Sequence, residues 1–106
     1  MSLRNMSLLK KMCDKENVKL TIAVYPWFSQ IYYNALESKQ VKIWKKFSKE
    51  NNIQFINFFP LFIDTIDENK NNRIEKIKKY YIVDDLHFNS LGNKMIADYF
   101  ISNFKY

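Results

Sequence analysis

Two short apolar runs, each ended by a proline, constrain the fold of this 106-residue chain more than any other feature. Residues 18–25 (VKLTIAVY) alternate Val18, Leu20, Ile22 and Val24 against Lys19, Thr21, Ala23 and Tyr25, and Pro26 follows. A two-residue period is that of a strand with one buried face, and proline ends it because it brings no N–H to the ladder. Residues 53–59 (IQFINFF), closed by Pro60, read as a second strand. Between the two, Ser38 is placed to cap a helix running to about Asn51, with Val41, Trp44 and Phe47 on one stripe. Strand, helix and strand within about forty residues make a βαβ unit, which implies parallel strands and a right-handed crossover.

Helical spacing predicts further elements on both sides of this unit. Residues 4–16 place Met6, Leu8, Leu9, Met12 and Cys13 at helical intervals between lysines, and a short helical turn is expected over 30–36. After Pro60 come an apolar turn at Leu61–Ile66, a polar Asn-rich stretch at Asp67–Asn72, and a short helix over 73–80. The final helix spans 90–104, with Met95, Ile96, Tyr99, Phe100 and Phe104 as its buried face. No repeat or internal boundary is visible, so residues 1–106 form one α/β unit. Two parallel strands are too few, because a parallel sheet needs both faces and most edges covered. The expectation is a partial domain, completed by further strands or by another copy.

Composition removes several function classes. A single Gly excludes the glycine-rich phosphate loops, and a single His with a single Cys excludes a zinc finger, a disulfide framework or a multi-histidine metal site. Neither a metal nor a cofactor is expected. Hydrophobic content of 47% is too high for a disordered basic tail. The net charge of +6 comes almost wholly from lysine, with Arg4 and Arg73 the only arginines. Nucleic-acid sites usually use arginine for bidentate contacts, so the lysines read as solvated helix faces and no nucleic-acid partner is expected. No apolar run reaches the length of a membrane span, and MSLRNMSLLKKMC lacks the apolar core of a secretory signal. These features leave both a cytoplasmic and an envelope-associated place open.

The only His and only Gly lie five residues apart, in Asp84-Asp85-Leu86-His87-Phe88-Asn89-Ser90-Leu91-Gly92, in a loop before the final helix. A carboxylate two or three residues before a His can reach its Nδ1 proton, which leaves Nε2 to take a proton from a nucleophile. Asn89 is placed as N-cap of the last helix, and Gly92 falls in the first turn, where a missing side chain permits close backbone approach.

The string DDLHFNSLGNKMIADYF resembles the C-terminal block of the SGNH (GDSL-type) hydrolases. That pattern is Asp-x-x-His, a small polar residue, Gly, then an apolar helix with Ala, and Asp84, His87, Asn89, Gly92 and Ala97 fill its places. The resemblance implies a flavodoxin-like α/β/α sandwich of which this chain is the C-terminal part. It implies His87 as catalytic base and Asp84 as its orienting acid. Related polysaccharide O-acetyltransferases use Asp-x-His, which selects Asp85 as the alternative. VKLTIAVYPWFSQ and IQFINFFPLF would be the last two strands with their outgoing loops, so that Tyr25, Trp27 and Gln30 line the substrate edge.

The family's nucleophile is a Ser in a Gly-Asp-Ser block, and its oxyanion donors come from two further blocks that also contain Gly. With its one Gly at position 92, this chain has none of the three, and neither Ser7 nor Ser29 has the required flanks. The resemblance therefore implies a serine esterase or O-acyltransferase acting on an acyl ester, a carbohydrate ester among the candidates. This chain carries the His–Asp half and is inactive alone. Two rival expectations are a non-catalytic α/β protein that dimerises through its sheet edges, and a basic nucleic-acid binder stacking bases on Trp44, Tyr80 and Tyr81.

Overall fold

The proline-ended runs form the sheet. In the computed structural model, which describes residues 2–64 and 69–106, helix α1 (Leu3–Lys15) precedes strand β1 (Thr21–Val24). A short helix α2 (Phe28–Tyr32), a longer α3 (Lys39–Glu50) and strand β2 (Gln54–Asn57) follow. The strands are parallel, with Thr21 opposite Gln54 and Val24 opposite Asn57, and Phe58 N–H continues the ladder to Val24 C=O at 2.9 Å. The order α4 (Phe59–Phe62), α5 (Lys70–Tyr80), α6 (Ser90–Asn103) completes a mixed α/β chain.

Both strands are shorter than their apolar runs, for local reasons. Val18 N–H turns back to Cys13 C=O at 2.8 Å to close α1, so Val18 lies outside the strand and is exposed. At the other end Phe58 takes helical dihedrals, and Pro60 sits in the first turn of α4 instead of merely stopping β2. Proline is tolerated there because the first helical N–H groups have no partner within the helix.

Helix α3 begins where Ser38 predicts: its hydroxyl accepts from Val41 N–H at 3.3 Å. Val41 and Phe47 bury against Ile22 and Val24, with Trp44 and Phe55 packed alongside, so α3 covers one face of the pair. The opposite face, which carries Thr21, Ala23, Gln54 and Ile56, is covered over β2 but not over Ala23 among the described residues. There the Gln54 amide binds both backbone groups of Lys105, at 2.8 and 2.7 Å, and the Phe58 ring meets Tyr99. Ala23, in the middle of β1, stays exposed, and among the described residues β1 has no strand on its outer edge.

Other elements depart from their predicted bounds. Helix α2 starts earlier than 30–36 and ends where Asn34 adopts a φ of 54°, a left-handed conformation that Asn tolerates. Helix α5 begins before residue 73 because Asn69 caps it, its side chain accepting from Asn71 N–H at 2.9 Å. The predicted segments Leu61–Ile66 and Asp67–Asn72 lie partly on residues 65–68, outside the described residues. In α1 only Met6 reaches the core, while Leu8 and Met12 are exposed. In α6, Met95 and Ile96 pack on the core, whereas Phe100 stacks on Phe104 at the outer end. The radius of gyration, 15.4 Å, exceeds the value of about 13 Å for a compact chain of this length.

Candidate functional site

The loop between α5 and α6 is tied at both ends before it presents any chemistry. Tyr81 and Phe88 form an antiparallel bridge, Ile82 N–H donates to His87 C=O at 3.0 Å, and Asn89 N–H donates to Tyr80 C=O at 2.9 Å. Asn89 then caps α6: its Oδ1 accepts from Gly92 N–H at 2.9 Å, while its Nδ2 donates back to Lys79 C=O at 2.8 Å. A single side chain therefore fastens the start of α6 to the end of α5. Gly92 is buried, and a Cβ there would stand 2.2 Å from the Tyr80 carbonyl oxygen and 2.9 Å from the Phe88 ring. The close approach expected at this position is present.

At the tip, Asp85 N–H donates to Ile82 C=O at 3.1 Å, closing a turn in which Asp84 has a φ of 58°. Asp85 Oδ1 accepts from His87 N–H at 3.1 Å and lies 2.6 Å from His87 Nδ1. An aspartate readily accepts from the backbone two residues on, and the same turn brings the imidazole to the same oxygen. The acid beside His87 is therefore Asp85; Asp84, the residue that the longer spacing selects, shapes the turn and forms no hydrogen bond or ion pair with the ring. The His87 hydrogen bond, reinforced by its backbone N–H, holds the Asp85 carboxyl below its ordinary range. An ionised Asp85 accepts a hydrogen bond from Nδ1–H, and in the tautomer this favours Nε2 is the acceptor nitrogen. The His87 side chain is 82% exposed, and no hydroxyl or thiol bonds to it among the described residues.

Phe88 and Tyr81 anchor this loop. The Phe88 ring packs on Tyr81, Phe62 and Tyr25, with centroids 4.5, 5.2 and 5.7 Å away. The Tyr81 hydroxyl donates to the carbonyl of Pro26, the residue that ends the first apolar run. Burial, and secondarily the Tyr25 phenol, push the Tyr81 hydroxyl above its usual range, so it remains a donor. These contacts seat the His87 loop at the C-terminal end of β1, beside Tyr25. The sequence reading missed both anchors, since an aromatic residue in a polar stretch does not reveal a carbonyl 55 residues away. Replacing Tyr81 by Phe strands the Pro26 carbonyl in the interior, and should lower stability in urea unfolding by about 1–2 kcal/mol. Tyr25→Phe, whose hydroxyl has no partner among the described residues, should cost almost nothing.

The predicted edge residues divide. Tyr25 and Trp27 are exposed after β1, and Tyr25 adjoins the loop through Phe88. Gln30 serves local structure instead: its Oε1 accepts from Trp27 N–H at 2.9 Å, capping α2, and its Nε2 reaches Gln40 at 3.5 Å. The rings suggested for base stacking do not stand free, because Tyr81 is buried and Trp44 and Tyr80 pack against the core. Among the described residues no three carboxylate, Cys or His groups cluster as a metal site, and no helix is long and apolar enough to cross a membrane. Comparison with family models, with curated protein sequences and with solved structures finds no match to this chain.

Proposed function

We propose that this chain supplies the His–Asp half of a Ser–His–Asp acyl-transfer site, as the C-terminal part of an SGNH-type esterase or O-acyltransferase with a flavodoxin-like sheet. The observation that carries this reading is the His87–Asp85 pair: Nδ1 stands 2.6 Å from a carboxylate, and the exposed ring stands at the C-terminal end of a parallel strand. Ligands in open α/β sheets bind at that end. The free edge of β1 and the exposed Ala23 support the presence of further strands that complete the sheet. In the complete enzyme a serine on those strands attacks the ester carbonyl while Nε2 of His87 accepts its proton. The imidazolium, stabilised by Asp85, returns that proton to the departing alcohol. Water or an acceptor hydroxyl then takes the acyl group from the serine by the same route.

The test reads the DNA upstream of the Met1 codon and assays the product of any reading frame that runs through it. A Gly-Asp-Ser block in that frame, with aryl acetate turnover that falls to background in His87→Ala, supports the reading. Unrelated upstream sequence, or turnover that survives His87→Ala, overturns it. A concentration-dependent dimer without ester turnover overturns it in favour of the α/β protein that pairs through β1.

A further inference from the structure

The outward face of α3 gathers its positive charge into one narrow stripe, whereas the five bases of α5 are spread around that helix. Lys39, Lys42, Lys45, Lys46 and Lys49 are all exposed, and Glu50 is the only acid in the helix. At helical spacing these lysines fall within an arc of about 120° and along about 15 Å of axis. On α1 Lys10, and on α6 Lys94, pair with carboxylates four residues on, Asp14 and Asp98. On α3 only Lys46 has such a neighbour, Glu50 at 3.8 Å, and Lys39, Lys42, Lys45 and Lys49 form no ion pair among the described residues. Like charges three and four apart repel along the whole helix, and an external anion relieves that repulsion.

We propose that this stripe is a docking surface for an anionic lipid bilayer, held by charge alone. The shape favours a plane over a threaded polymer. The outer side of a single helix is convex, and two depressions elsewhere on the surface, one on α5 and one around α4, include no α3 residue. A narrow arc of flexible lysines lets every ammonium reach one plane, since long stems absorb the curvature of the helix. Both aromatic rings of α3, Trp44 and Phe47, face the core, and the helix has no arginine, so the face lacks stacking and bidentate groups that read nucleic acid. The apolar stripe is already occupied, with Val41 and Phe47 buried against the sheet, so α3 cannot roll over to insert. Binding is therefore peripheral and sensitive to salt.

The experiment is sedimentation of the full chain with vesicles of phosphatidylcholine, alone or with about 30% phosphatidylglycerol. Binding only to the anionic vesicles, lost between about 0.05 and 0.5 M salt, is the expected result. A variant with Lys42, Lys45, Lys46 and Lys49 changed to Gln should bind more weakly by on the order of several hundredfold, at about fivefold per lysine. A variant of equal net charge, with Lys11, Lys15, Lys19 and Lys105 changed to Gln, should lose less than about tenfold. These exposed substitutions keep the side-chain stems, and circular dichroism verifies that both variants fold. Equal losses in the two variants overturn the proposal, because net charge would then account for binding. So does the absence of anionic-vesicle binding in the parent chain. Tighter binding to a single-stranded oligonucleotide, lost with the same four lysines, overturns it in favour of a nucleic-acid partner.

Discussion

Replacing Gly92 by alanine is expected to destabilise the protein by about 2–3 kcal/mol, although alanine is the better helix former by about 1 kcal/mol. Gly92 lies in the first turn of α6 with ordinary negative φ, so backbone conformation does not require glycine. Space does. The new methyl would stand 2.2 Å from the Tyr80 carbonyl oxygen, a backbone atom that also accepts the Asn89 N–H. It would also meet Phe88, the ring that anchors the His87 loop. Relief requires α6 to lift from the end of α5, which lengthens the Asn89 cap bonds and shifts Phe88. Urea unfolding of the variant should show a lower midpoint, with a melting temperature reduced by about 10 °C or more. A variant as stable as the parent would mean that helix propensity outweighs the contact and that the two helices do not approach so closely.

The second large effect separates the two adjacent aspartates. In the complete enzyme that the proposed function requires, Asp85→Asn should lower kcat by about 10⁴-fold with little change in KM, while Asp84→Asn should stay within about threefold. An asparagine at 85 can donate its amide to Nδ1, which drives the ring proton to Nε2 and removes the base. Asparagine at 84 suits the left-handed turn as well as aspartate does, and the parent carboxylate there forms no hydrogen bond or ion pair with the ring. The chain as it stands gives an independent readout. Imidazole nitrogen shifts should report the proton on Nδ1 in the parent and in Asp84→Asn, and on Nε2 in Asp85→Asn. The opposite pattern, with Asp84→Asn carrying the loss and the tautomer change, would restore the longer spacing as the functional one.

Much of the frame was legible because its signals are local. Ser38 and Asn89 could be named as caps, since a hydroxyl or amide oxygen at the first position of a helix satisfies N–H groups two or three residues on. The alternation at Ile22 and Val24 showed which face of β1 would bury. The strand ends were less legible. The Val18 N–H is claimed by α1, and Pro60 is compatible with either the end of a strand or the first turn of a helix.

By itself the sequence determined the parallel βαβ unit, the loop bearing His87 and the cap at Asn89. These follow from periodicity and capping chemistry, which act over a few residues. The folded turn decided which of the two aspartates meets the ring, and tertiary structure alone decided where that ring stands. Asp85 wins because one turn aims its carboxylate at both the backbone and the imidazole of His87. The loop sits at the end of β1 because the Tyr81 hydroxyl finds the Pro26 carbonyl and Phe88 finds Tyr25. Such contacts join residues far apart along the chain, and no local pattern encodes them.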